Sequence, residues 1–176
     1  MNIFCFPSES VNHILAAHTA RQWAANSHGI AEGFKKQLIT KMSHVERGDL
    51  GFLYCKEDKK FHLPFTIVSS PFPEVEYSSI WHSEWIGRFC FVPWISSVGK
   101  GLPIEEVENV MPTIKEQINT RPQTENGRRT TWNTYLQVCG QHAFNPLKFV
   151  KTDDFVRMVV YLQLMDAPLV GASSKS

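Results

Sequence analysis

The sequence predicts an α+β domain, a small curved sheet or open barrel flanked by helices. Short apolar runs broken by turn residues fill the first part of the chain. Helical spacing of apolar residues appears near both ends, and no internal repeat interrupts this order. A length of 176 residues suits one core and is too short for two large ones. The expected unit is a single domain over residues 2–165, with 166–176, ending in "GASSKS", as a flexible tail.

The run 2–6, "NIFCF", ends at Pro7 and Ser8 and reads as a strand. "SESVNHILAAHTARQW" (8–23) follows as a helix, with Ser8 or Ser10 as its cap and Val11, Ile14, Leu15 and His18 on one face. Turn residues surround Gly29 and Gly33. A second short helix covers "FKKQLITKM", with Phe34, Leu38 and Ile39 as its apolar face. Gly48-Asp49 leads into a buried strand carrying Leu50, Phe52, Leu53 and Tyr54. The charged "KEDKK" at 56–60 is a hairpin tip, and "FHLPFTIVSS" is the partner strand, where Pro64 argues for an edge or a bulge. A loop follows, and it carries Trp81 and Trp85. "RFCFVPWISS" is a further strand, with Phe89, Phe91 and Ile95 on one side and Trp94 on the other. Trp94, inside a strand, is expected in the core. A short helix in 105–119 stops near Pro112. "TRPQTENGRRTTW" is an exposed basic loop, and "TWNTYLQVCG" fits strand or helix equally. "KTDDFVRMVVYLQLM" is a helix capped by Thr152 or Asp153 and apolar at Phe155, Met158, Val159 and Leu162.

Composition narrows the function classes. Apolar residues make up 43% and charged residues 20%, which excludes wholesale disorder. The net charge of +1 means that binding to nucleic acid needs a local basic patch. No apolar run is long enough to span a bilayer, so no membrane partner is expected. The first residues carry no export signal, which places the chain in the cytoplasm or nucleus. Cys5, Cys55, Cys90 and Cys139 are too scattered for a zinc site and read as reduced, mostly buried thiols. Phosphate-loop, dinucleotide, zinc-protease and hydrolase motifs are all absent. His82 and Glu84 specify no geometry for proton transfer. The expectation is no enzyme, no metal and no cofactor.

Aromatic and basic residues remain unexplained. Trp23, Trp81 and Trp85 border small polar residues and read equally as core or as the walls of a pocket for a flat guest. A nucleobase is the natural guest, since stacking on aromatic rings contributes about 1–3 kcal/mol per base. Arg21, Lys35, Lys36, Lys41, Arg88, Arg121, Arg128 and Arg129 are candidates for phosphate contacts, each also readable as a solvated charge.

The segments "NIFCFPSES…RQWAAN" (2–26), "GDLGFLY" (48–54) and "SSPFPEVEYSSIWHSEWIGRFCFVPW" (69–94) resemble the YTH domains and the related EVE domains of the PUA-like superfamily. The likeness covers roughly residues 2–98. Its most specific part is "IWxxxWxGRFxFxxW" with "WAAN" upstream. The resemblance implies a PUA-like fold and a reader of methylated bases, N6-methyladenine first and a modified cytosine second. Trp23, Trp81 and Trp85 then match the cage tryptophans, and Ser8, Ser10, Asn12 and Asn26 become candidates for reading the base edge. Three departures stand out: the Trp81–Trp85 interval is one residue short, Pro7 replaces a family lysine, and "AAN" follows Trp23. Such modules also serve as N-terminal readers of modification-dependent restriction systems, so an effector domain fused after residue 176 or associated with it fits this reading. Two other classes remain open, a nucleotide-acting enzyme on the same superfold and a protein-interaction module.

Overall fold

The first strand, β1 (Ile3–Ser8), lies parallel to β3 (Leu50–Cys55), with Ile3 opposite Leu50 and Ser8 opposite Cys55. The computed structural model describes residues 1–114, 143–148 and 150–166. Parallel neighbours require a crossover. Here it consists of α1 (Val11–Ala20), β2 (Gln22–Asn26) and α2 (Glu32–Met42). Ser10 caps α1, its Oγ accepting the His13 N–H at 3.2 Å. Arg21 ends the helix at φ 58°, in the left-handed region, and returns its N–H to the Ala17 carbonyl. The chain therefore reverses within one residue and enters β2.

After the charged turn at 56–59, β4 (Lys60–Ile67) folds back antiparallel on β3. It also pairs β6 (Ser83–Pro93) and the short β7 (Leu102–Pro103). Strand β6 pairs β2 and β5 (Glu76–Ser78). The described residues thus form a seven-stranded mixed sheet with the path β1-β3-β4-β6-β2. Neighbouring strands lie about 4.8 Å apart, so a flat row of five would separate β1 from β2 by about 19 Å. Yet Phe6 of β1 and Trp23 of β2 bring their ring centroids within 4.6 Å. The sheet is curled into a half-barrel whose inner face carries Phe4, Phe6, Phe65, Phe89 and Phe91, while Phe52 and Phe61 pack on each other across the opposite face, all fully buried. After β7 come a 3-10 turn (Ile104–Glu106) and α3 (Val107–Val110), which breaks before Pro112 as expected. Helix α4 (Thr152–Asp166) buries Phe155, Met158, Val159 and Leu162, the predicted face.

Several expectations are corrected. Gln22 and Trp23, read as the end of the first helix, belong with residues 24–26 to a strand. Ala24, Ala25 and Asn26 carry little strand signal, but pairing with β6 overrides propensity. Of the two readings of Pro64, an edge or a bulge, the bulge holds: β4 has partners on both sides, and the register shift opposite Gly51–Leu53 accommodates the proline. Leu63 takes φ 54° there. Trp85 belongs to β6, which starts five residues before Arg88, while Trp81 lies in the turn between β5 and β6. Leu15 and Ile39 are exposed, because only the Ile14–Ala17 and Leu38–Met42 faces of their helices meet the sheet. Trp94 is not core. It is 43% exposed, its Nε1 donating to Thr66 Oγ1 at 2.8 Å and its ring standing edge-on to Phe155. The alternation that puts Phe91 and Ile95 inside does hold, and it turns Trp94 outward. Arg121, Arg128, Arg129, Trp132, Cys139, the basic loop and the tail lie outside the described residues.

Candidate functional site

A β-bulge sets the positions of the tryptophans. Trp23 pairs with Phe89 and Ala25 with Ile86, so Gly87 and Arg88 together oppose Ala24. Gly87 has φ 77°, the left-handed glycine of a G1-type bulge. A Cβ there would stand 2.7 Å from both Met42 Cε and Phe144 Cζ, so α2 and residue 144 approach the backbone closely. Behind the bulge Trp23 is 4% exposed and packed on Phe6, Phe89 and Phe144. One part of it nevertheless faces a cleft.

That cleft, of about 160 Å³, lies between the end of β1, the start of α1, β2, α2 and the β5–β6 turn. An apolar cavity of about 150 Å³ accepts benzene, so this open cleft of similar volume has room for one flat aromatic group. Trp23, Trp81 and Trp85 all line it, brought together from three places in the chain. Trp81 and Trp85 touch each other, their centroids 4.8 Å apart and their planes tilted by 39°. No ring fits between those two. The Trp81–Trp85 pair forms one wall of the cleft and Trp23 part of another. Ile30, Phe34 and Leu38 supply an aliphatic and aromatic wall. Trp81 Nε1 points to the His13 carbonyl at 3.5 Å, and the buried Trp85 Nε1 has no acceptor among the described residues.

The polar candidates divide. Ser8 and Asn26 line the cleft, although Asn26 Oδ1 already accepts the His28 N–H at 2.9 Å. Ser10 is engaged as the α1 cap, and Asn12 is exposed on that helix; neither lines the cleft. Of the bases, Lys35 pairs with Glu32 at 3.3 Å and Lys36 is exposed on α2. Arg88 donates through Nε and Nη2 to Glu76 at 2.8 and 3.3 Å, and this bonding raises its pKa. Arg21 sits beside Trp94, away from the cleft.

Sequence reasoning missed Glu9, His13, Lys56 and Ala143 as cleft residues. Lys56 and Glu9 form a 2.8 Å ion pair across the ends of β3 and β1. Only the parallel pairing of those strands brings residues 47 apart together, and nothing local signals it. His13 stands edge-on to Trp85 at 6.2 Å. The "GD" of "GDLGFLY" proves structural: the buried Asp49 carboxylate accepts the N–H groups of Asn2 and Glu46 at 2.9 and 2.8 Å. No three His, Cys, Asp or Glu side chains converge as a metal site among the described residues. No described helix is long and apolar enough to cross a membrane.

By sequence, no family model and no curated protein matches the chain. By structure, it is similar to the CPSF4 YTH domain of Toxoplasma, at 17% identity and TM-score 0.38. That match covers 52% of this chain and 56% of the other, so the chain spans about half of that domain. It is also similar to the YTH domain of Zygosaccharomyces rouxii MRB1 in complex with N6-methyladenosine RNA, at 9% identity and TM-score 0.46, covering 96% of this chain and 88% of that one. A third similar structure is Rpa0253 from Rhodopseudomonas palustris, at 13% identity and TM-score 0.47, covering 95% and 97%.

Proposed function

We propose that this chain is a non-catalytic nucleic-acid-binding module that takes one methylated base into the tryptophan cleft, N6-methyladenine first and a modified cytosine second. The observation that supports it is the convergence of Trp23, Trp81 and Trp85 on a cleft with room for one flat aromatic group, with Ser8 and Asn26 at its wall. Stacking on such walls is worth about 1–3 kcal/mol per base. Burying one methyl group adds about 0.8 kcal/mol, roughly a fourfold preference. The rest of the discrimination comes from the cost of leaving an unmethylated N–H unpaired against Ile30, Phe34 and Leu38. A base that starts in a duplex must first leave its stack, at a cost of a few kcal/mol. Single strands are therefore the better ligands. Such a module suits the reading half of a larger assembly, a modification-dependent restriction system among them.

The experiment is a titration at fixed salt against matched oligonucleotides carrying adenine, N6-methyladenine, cytosine or 5-methylcytosine, as RNA and as DNA, single- and double-stranded. Tighter binding of one methylated strand, with quenching of tryptophan fluorescence, is the expected result. Equal binding of all strands without quenching rules the reading out.

A further inference from the structure

The Trp81–Trp85 pair is a wall with two clefts. Besides the cleft it shares with Trp23, it lines a second one of about 180 Å³ together with Gln22, Ser78, Ser79 and Arg88. The β5–β6 pairing builds this cleft: Glu76 lies opposite Trp85, and Ser78 opposite Ser83. The two clefts differ in chemistry. Aliphatic and aromatic side chains from α2 close the first, whereas Gln22, Ser78, Ser79 and the Glu76–Arg88 pair supply polar groups to the second beside Ala24 and Ile80.

Its charges cancel locally. Arg88 spends two of its five donors on Glu76, at 2.8 and 3.3 Å. A phosphate placed there would meet the Glu76 carboxylate as well as the guanidinium. The group that fits is uncharged and rich in hydrogen bonds, as a sugar or the edge of a base is.

We propose that the second cleft holds another nucleoside unit of the same strand, through hydrogen bonds from Gln22, Ser78 and Ser79, with the tryptophan pair as the partition between the two units. The inference rests on the reading of the first cleft given above. Because both rings stand between the two clefts, the two units are not stacked neighbours, and the strand must run around the pair. Affinity therefore rises with ligand length, and the second cleft adds a contribution that salt does not screen, unlike a phosphate contact.

The test compares wild type with a Gln22→Ala/Ser79→Ala double variant. The ligands are the modified mononucleoside and modified oligonucleotides of increasing length, as RNA and DNA, at low and moderate salt. The expected result is unchanged binding of the mononucleoside and a loss of about tenfold for the longer strands, as two neutral hydrogen bonds imply, equal at both salts. A loss confined to RNA assigns the contact to the ribose hydroxyl, and equal loss in RNA and DNA assigns it to the base edge. Unchanged oligonucleotide binding overturns the second site and leaves the first standing. A salt-dependent loss also overturns it, since the contact is then to phosphate. If wild type shows no preference for a modified mononucleoside, the first cleft fails and this inference fails with it.

Discussion

At the scale of single residues, the tryptophans show what a side chain's neighbours in sequence reveal and what they conceal. Small polar neighbours marked Trp23 and Trp81 as different from ordinary core residues, and both line the cleft. They concealed that Trp23 is also core: its contacts with Phe6, Phe89 and Phe144 come from strands and a segment far away in sequence. Trp94 is the converse. It sits among apolar residues, yet it stays 43% exposed, with Phe155 of α4 meeting its ring edge-on. Trp23→Ala is therefore expected to destabilise the fold by about 3–5 kcal/mol, as large-to-small core changes do. Trp94→Ala should cost only about 1–2 kcal/mol, the worth of one hydrogen bond and one edge contact. Trp81→Ala should leave the denaturation midpoint close to wild type and remove about 1–3 kcal/mol of affinity for the methylated strand. Denaturant titrations of the three variants, with binding measured on those that fold, check the assignment. A Trp94 variant less stable than the Trp23 variant would reverse it.

At the scale of elements, α1, α2, α4 and strands β1, β3 and β4 were legible because each announces itself locally by periodicity, caps or turn residues. β2, β5 and β7 were not, since two to five residues carry too little pattern and exist as strands only through their partners. The G1-type bulge lies between these cases. The "GRF" segment was visible, but the reason for its glycine appears only when Ala24, Met42 and Phe144 arrive around it. Gly87→Ala meets two penalties. A non-glycine residue at φ 77° costs about 1–2 kcal/mol, and forcing a methyl group onto Phe144 and Met42 costs about 1–3 kcal/mol more. Gly29 provides the control: it has φ 72° but no atom within 4 Å of an added Cβ, so Gly29→Ala meets the backbone penalty alone. The difference between the two variants in a stability measurement isolates the close approach. Equal losses would mean that the α2 contact at the bulge is not tight.

At the scale of the whole molecule, the α+β class followed from the order of elements, but the closure of the sheet did not. Closure depends on contacts such as Phe6 with Trp23, which join the two ends of the strand path and build the cleft between them. Packing of the helices and strands also buries titratable groups, and these shape stability against pH. His18 has its pKa lowered, first by burial and then by the Arg21 charge, against a smaller opposing hydrogen bond from the Ile95 backbone. Its Nε2 is buried without a partner among the described residues. The unfolded chain then binds a proton more readily than the folded one. Stability is complete above the ordinary histidine value of about 6.5 and declines as pH falls below it. Cys5 and Cys55 act in the opposite direction. Burial raises both thiols, Cys5 by far the more, so the unfolded chain loses its protons first. Stability is complete below the ordinary cysteine value of about 8.5 and declines as pH rises beyond it. Tyr54 and Tyr161, also raised chiefly by burial, extend the alkaline decline to higher pH. The expected profile of denaturation midpoint against pH is a plateau between about 6.5 and 8.5 that falls on both sides. His18→Gln should flatten the step just below the plateau and Cys5→Ala the step just above it, each leaving the other step in place. If the Gln variant loses stability on acidification as wild type does, His18 is not the group responsible for the acid step.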